Sequence, residues 1–278
     1  MSFGTILLHL NGGERDAANL QYAVALAEEH KAHLVALRTI TPFYPTIGAF
    51  GDAAVGVIAE LQERYRASER AAAETFRAEA EKAASNAGVP LEWREEEDFA
   101  DDILPVHARY ADVTVLGQPE RGEIEPTHSA ELPANVVMGS GRPAIAVPYA
   151  GSFAKPPRHA LIAWNGTREA TRAVHDALPI LKRANKVSIL SVNPKDGKHL
   201  AGADIAAHLA RHGCKAEASR TVATDISVAD AILSDASDIG ADFLVMGAYG
   251  HSRLREWALG GATKDVLNTM TVPVLFSH

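Results

Sequence analysis

Apolar residues fall along this chain in two alternating patterns: short unbroken runs, and stretches where they return every three or four positions. In the C-terminal half the runs occupy 160–164, 187–192, 216–222, 242–246 and 273–276, and helical spacing fills about 168–182, 202–212, 227–239 and 262–270. Short runs rich in Val, Ile and Leu, without strict alternation, predict strands buried on both faces, as in a parallel sheet. Between the first two, Ala170, Ala173, Val174, Ala177, Leu178 and Leu181 share one helical face, which Pro179 is expected to kink or cut short. Strand and helix in regular alternation predict a doubly wound, Rossmann-like α/β architecture.

The pattern is written twice. Ile6-Leu7-Leu8-His9-Leu10-Asn11-Gly12 returns as Ala160-Leu161-Ile162-Ala163-Trp164-Asn165-Gly166, 154 positions on, each followed by a helical stretch. Ala111-Asp112-Val113-Thr114-Val115-Leu116-Gly117 returns as Ala241-Asp242-Phe243-Leu244-Val245-Met246-Gly247, only 130 positions on, as does Pro143 at Pro273. The first copy therefore carries 24 extra residues within about Thr41–Pro90. Their pattern predicts a loop over 42–56 and one long amphipathic helix to about Ala87, with Ile58, Leu61, Tyr65, Ala72 and Phe76 at helical spacing. Its charged faces read as solvated surface; a lid or partner-docking helix is the alternative. Gly151 to Pro157 is a Gly/Pro-rich linker. We expect two domains, 1–150 and 158–278, each a mainly parallel five-stranded sheet flanked by helices, paired within one chain. Whether the chain also forms a homodimer is left open.

Composition narrows the function. With 27 Lys+Arg against 35 Asp+Glu, the formal charge of −8 argues against nucleic acid, which needs a cationic footprint. One cysteine, Cys214, excludes an intrachain disulfide and fits a reducing compartment. We read no signal peptide and no run of about 18 apolar residues, so we expect a cytoplasmic protein without a membrane partner.

The strongest local signal is Gly247-Ala248-Tyr249-Gly250 followed, nine residues later, by Gly260-Gly261-Ala262-Thr263. Gly247 closes a strand and Gly260-Gly261 opens a helix. Bare main-chain amides at a helix N-terminus, beyond the carboxyl end of a parallel strand, suit an anion. Plain turn glycines are the alternative. The spacing resembles the signature of the universal stress protein family, Gly-x2-Gly-x9-Gly-(Ser/Thr), and the strand at 241–247 and the closing Val272-Pro273-Val274-Leu275 agree with it. The resemblance covers both copies. It implies binding of ATP or another adenine nucleotide: Asn165 at the ribose, the Val192 backbone at adenine, and Gly247, Gly250, Gly260, Gly261 and Ala262 at the phosphates. It does not settle whether magnesium accompanies the nucleotide. Two departures stand out: Asn165 replaces the usual Asp, and Gly261 replaces the usual Ser/Thr, with Thr263 as a substitute hydroxyl.

The first copy keeps Gly117 but continues Gln118-Pro119-Glu120, and Ala130-Glu131 stands where Gly260-Gly261 stands later. Carboxylates repel phosphate and Pro119 lacks a donor, so no triphosphate is expected there. Other motifs are set aside. Gly139-Ser140-Gly141-Arg142-Pro143-Ala144 precedes a strand instead of following one. His208, His212 and Cys214 read as solvated surface, not a metal site. His251, Ser252, Arg253 and Arg255 lie beside the glycine loop, and Trp93 on an edge strand before an acidic loop. No nucleophile elbow or water-orienting group is recognisable, so no enzyme and no catalytic residue is expected. The resemblance implies a stress-response nucleotide-binding or sensing protein acting through an unidentified protein partner. The rivals are a nucleotide-independent scaffold, a small-molecule or lipid binder, and a slow ATPase.

Overall fold

A computed structural model describes residues 2–43, 55–118, 131–194, 202–249 and 261–278. Each apolar run becomes a strand. The N-terminal half contributes β1 (Thr5–Leu10), β2 (His33–Ile40), β3 (Leu91–Glu97), β4 (Val113–Gly117) and β5 (Ala144–Val147). The C-terminal half contributes β6 (His159–Ala163), β7 (Lys186–Val192), β8 (Ala216–Thr221), β9 (Phe243–Gly247) and β10 (Val274–Ser277). Their order is β3-β2-β1-β4-β5-β10-β9-β6-β7-β8, so each half has the same doubly wound five-stranded order and the two are joined through their last strands. Within each half every pairing is parallel; β5 and β10 pair antiparallel, Ile145 opposite Leu275. Burial on both faces explains the unbroken apolar runs: β1, β4, β6 and β9 carry Leu and Val inward on each side.

Helices cover both faces. The first face packs α1 (Asp16–His30) and α5 (Arg168–Leu181) into one apolar core that runs through both halves, with Leu20, Ala23 and Ala27 alongside Ala173, Ala177 and Leu181. The second face packs α3 (Ala100–Ala108), α4 (Leu132–Ser140), α7 (Val228–Asp238) and α8 (Ala262–Thr269) on a second core. The remaining helices are α2 (Val55–Asn86) and α6 (Ala203–Arg211). α2 is the long helix expected in the extra segment; the loop expected before it lies largely outside the described residues. Pro179 does not end α5, which continues to Leu181. It lies two residues from the end, so the one helical hydrogen bond it removes, to the His175 carbonyl, is followed by less than a turn of helix. β3 runs to Glu97, so the acidic stretch after Trp93 is an edge strand and not a loop. Gly141 is the left-handed cap of α4 ahead of β5, which removes the dinucleotide reading of that motif.

Candidate functional site

In a doubly wound sheet, ligands settle where the strand order reverses, at the carboxyl rim. In the C-terminal half that point lies between β6 and β9, which pair through Ala163 and Met246. Those sequence-predicted residues that are described sit on this rim. Asn165 follows β6, Val192 ends β7, Gly247 ends β9, and Gly261 and Ala262 open α8. Gly250 and Gly260, with His251, Ser252, Arg253 and Arg255, lie outside the described residues.

The turn after β6 is built from its own side chains. Asn165 Oδ1 accepts from Thr167 N–H (3.1 Å) and from the Thr167 hydroxyl (2.9 Å), and Thr167 Oγ1 in turn caps Ala170 N–H (3.3 Å) at the start of α5. Asn165 is exposed, and with its oxygen engaged it presents its amide nitrogen as a donor. At α8, Gly261 is extended (φ −74°, ψ 150°) and gives the helix no side-chain cap, so the first amides of α8 have no partner within the helix. Thr263, the substitute hydroxyl, is 4% exposed and belongs to the packed interior. Between these edges the floor is apolar: Ala163, Val192 and Tyr249 pack against the second core, in which Ala248 is buried. Tyr249 and Asn193 both hold left-handed backbone (φ 56° and 48°), a costly conformation for such residues that clusters at ligand-facing loops.

Gly247 has a second, structural reason to be glycine. A Cβ there would come within 2.5 Å of Ala170 N and 2.6 Å of the Glu169 carbonyl carbon, because the first turn of α5 lies directly on the strand end. A Cβ on Gly117 would meet only the Asn19 side chain, at 2.7 Å.

The matching rim of the N-terminal half is occupied by side chains. His9 stands where Ala163 stands and Thr39 where Val192 stands; both are buried, and His9 Nε2 lies 2.9 Å from Thr39 Oγ1. The Arg38 guanidinium lies against Gly12, is 5% exposed as a side chain, and pairs at 2.7 Å with Glu69 of α2. Tyr65 of α2 donates to the Thr41 carbonyl (3.0 Å). Asp16 accepts from Gly12 N–H (2.7 Å) and folds the β1 loop onto α1. Sequence reading expected obstruction from Glu120 and Ala130, which lie outside the described residues, and missed His9, Thr39 and Arg38. Aligning the copies position by position, beyond their glycines, would have found the first two.

Other groups are placed away from this rim. Cys214 is buried in the first core and its thiol is pushed up by burial, while the His208 ring packs at a tilt against those of His212 and His175 (4.7 and 5.2 Å between centroids). Among the described residues no three His, Cys, Asp or Glu side chains are arranged to hold a metal ion. A cavity of about 330 Å³ opens beside β8 and α7, but Asp225, Asp235 and Asp238 line it, and burial and Asp238 push the Asp235 carboxyl up. Such a lining disfavours a phosphate. Among the described residues no helix is long and apolar enough to cross a membrane.

Comparison with known proteins bears on the fold. Residues 157–278 match the model of the universal stress protein family. Comparison with curated proteins gives no match. A universal stress protein from Archaeoglobus fulgidus DSM 4304 superposes with a TM-score of 0.73 at 17% identity, over 98% of this chain and 95% of its own. A protein of unknown function from Pseudomonas aeruginosa PAO1 superposes with a TM-score of 0.58 at 13% identity, over 99% and 92%. At these identities the likeness speaks for the tandem fold. Residues 157–278 of this chain are thus similar to the universal stress protein family, and the N-terminal half repeats the same five-stranded fold.

Proposed function

We propose that this protein binds an adenine nucleotide at the β6–β9 rim of its C-terminal half and not at the equivalent rim of its N-terminal half. The observation that carries the reading is the contrast at matched positions: Ala163 and Val192 floor one crevice, whereas the His9–Thr39 pair closes the other. An apolar floor accepts the flat face of a base, the Asn165 amide can donate to a ribose hydroxyl, and the open amides of α8 suit phosphate. The role we assign is binding, with occupancy altering the surface offered to a partner in a stress response. Turnover would require a group that orients water, and none is recognisable in the sequence.

Calorimetry with ATP, ADP and AMP, together with mass spectrometry of small molecules released on denaturation, tests this. Heat of binding is expected for the parent chain. Transplanting the upstream pair, Ala163→His with Val192→Thr, is expected to weaken binding at least roughly tenfold, the cost of filling an apolar site with groups that bond each other. No heat with any adenine nucleotide, or equal heat in the double variant, would overturn the reading. Magnesium-dependent phosphate release would instead favour the ATPase.

A further inference from the structure

We propose that Gln118, in the lapsed glycine motif of the N-terminal half, is a positioning residue for the anion-facing helix of the C-terminal half. This inference rests on the nucleotide reading above. Gln118 follows Gly117 where the second copy has Ala248, and their backbones behave alike: Gln118 N–H donates to the Val147 carbonyl (2.7 Å) and Ala248 N–H to that of Ser277 (2.8 Å). Their side chains differ. Gln118 is 6% exposed, its Oε1 accepts from Tyr149 N–H (3.1 Å), and its Nε2 donates to the Leu267 carbonyl across the junction between the halves.

Leu267 lies in the last turn of α8, where carbonyls have no donor within the helix. Gln118 therefore supplies a C-terminal cap from the other half, and both ends of its amide are satisfied within a buried site, where loss of a partner is costly. α8 has eight residues, about 12 Å of rigid helix, so fixing its last turn also fixes where its N-terminal amides point. The arrangement is one-way. Ala248 has no side chain to return the bond, and Val137, the counterpart of Leu267, gives its carbonyl to Gly141 N–H (3.3 Å) within its own half. The copy whose glycine spacing has lapsed now holds the helix of the copy that kept it.

The test uses the full chain and Gln118→Glu, which keeps the acceptor for Tyr149 but removes the donor to Leu267, with Gln118→Leu as a second variant. Affinities for ATP and for adenosine are measured side by side by displacement of a fluorescent adenine nucleotide. Losing one buried hydrogen bond is expected to weaken ATP roughly fivefold to tenfold, while adenosine, which makes no use of the α8 amides, changes less than twofold. Equal loss for both ligands would mean a merely structural residue, and no loss for either would also overturn the proposal. Should the parent chain bind no nucleotide, the functional reading fails on its own. Amide exchange over 262–270 without ligand then decides the positioning role: faster exchange in Gln118→Glu is expected, and unchanged exchange would refute it.

Discussion

His30 closes α1 with 4% exposure, stacks on Phe3 (4.7 Å between centroids), and its Nδ1 accepts the Phe3 N–H at 3.3 Å, which only a neutral ring can do. Burial, and then the charge of Arg183, lower its pKa to about 4. An unfolded histidine titrates near 6.5, so between those values the unfolded chain holds a proton that the folded chain refuses, and stability rises with pH. The contribution is complete above about pH 6.5 and is lost as pH drops toward 4, a loss of about 3 kcal/mol in all. We expect urea midpoints to fall between pH 6.5 and 4, and His30→Gln, which keeps an acceptor for Phe3, to remove most of that slope. Equal slopes in both proteins would show that other groups carry it. Nothing in the sequence marks His30 as buried: it ends a helix, where a histidine commonly faces solvent and the helix dipole. Gly247 shows the same limit from the other side. Its place after a strand was legible from spacing, but the approach of the α5 first turn belongs to the packing of two elements and leaves no local trace.

At the scale of elements, the strands and helices were legible because burial imposes their period directly on the residues. The seating of α2 was not, because a charged helix face looks the same whether it meets water or a buried partner. Arg38 on β2 reads as a lone charge in an apolar run, and its partner Glu69 lies 31 positions away on α2. The guanidinium is 5% exposed and the carboxylate 26%, so the pair is only partly screened by solvent. Removing the carboxylate strands a nearly buried cation, which costs more than the intact pair contributes. Glu69→Ala is expected to lower stability by about 2 kcal/mol, below the full buried-pair value because Glu69 is partly wet. Faster amide exchange along α2 should accompany the loss. A change under about 0.5 kcal/mol, ordinary for a surface substitution, would mean that α2 is held by Tyr65 and its apolar contacts instead. The same pair holds Arg38 against Gly12 at the N-terminal rim.

For the whole molecule, duplication could be read from the two offsets, but not the edge at which the copies meet. β5 and β10 are four-residue runs like any other buried strand, and pairing them antiparallel is a choice made by the assembled surfaces. The result is one ten-stranded sheet with a core continuous across the junction. Arg158 also pairs with Glu29, and Tyr22 of α1 has its hydroxyl buried and its pKa raised by burial, then by Asp242 and Glu29. Neither half alone can cover these surfaces: separated, each would expose a bare strand edge and an apolar helix face, both of which favour re-association. The linker should then be dispensable once the halves have folded. Its residues Ser152, Ala154 and Lys155 are exposed, although Phe153 packs on the first core. A protease site placed between Ala154 and Lys155, cut after purification, is expected to leave the two pieces co-eluting at the intact size at concentrations down to about 1 μM, the dilution at which association weaker than roughly −8 kcal/mol would come apart. Denaturing electrophoresis would show two bands while size exclusion shows one peak. Two native peaks would mean that the covalent link, through its effective concentration, holds the halves together, and that the shared core is too small to do so without it.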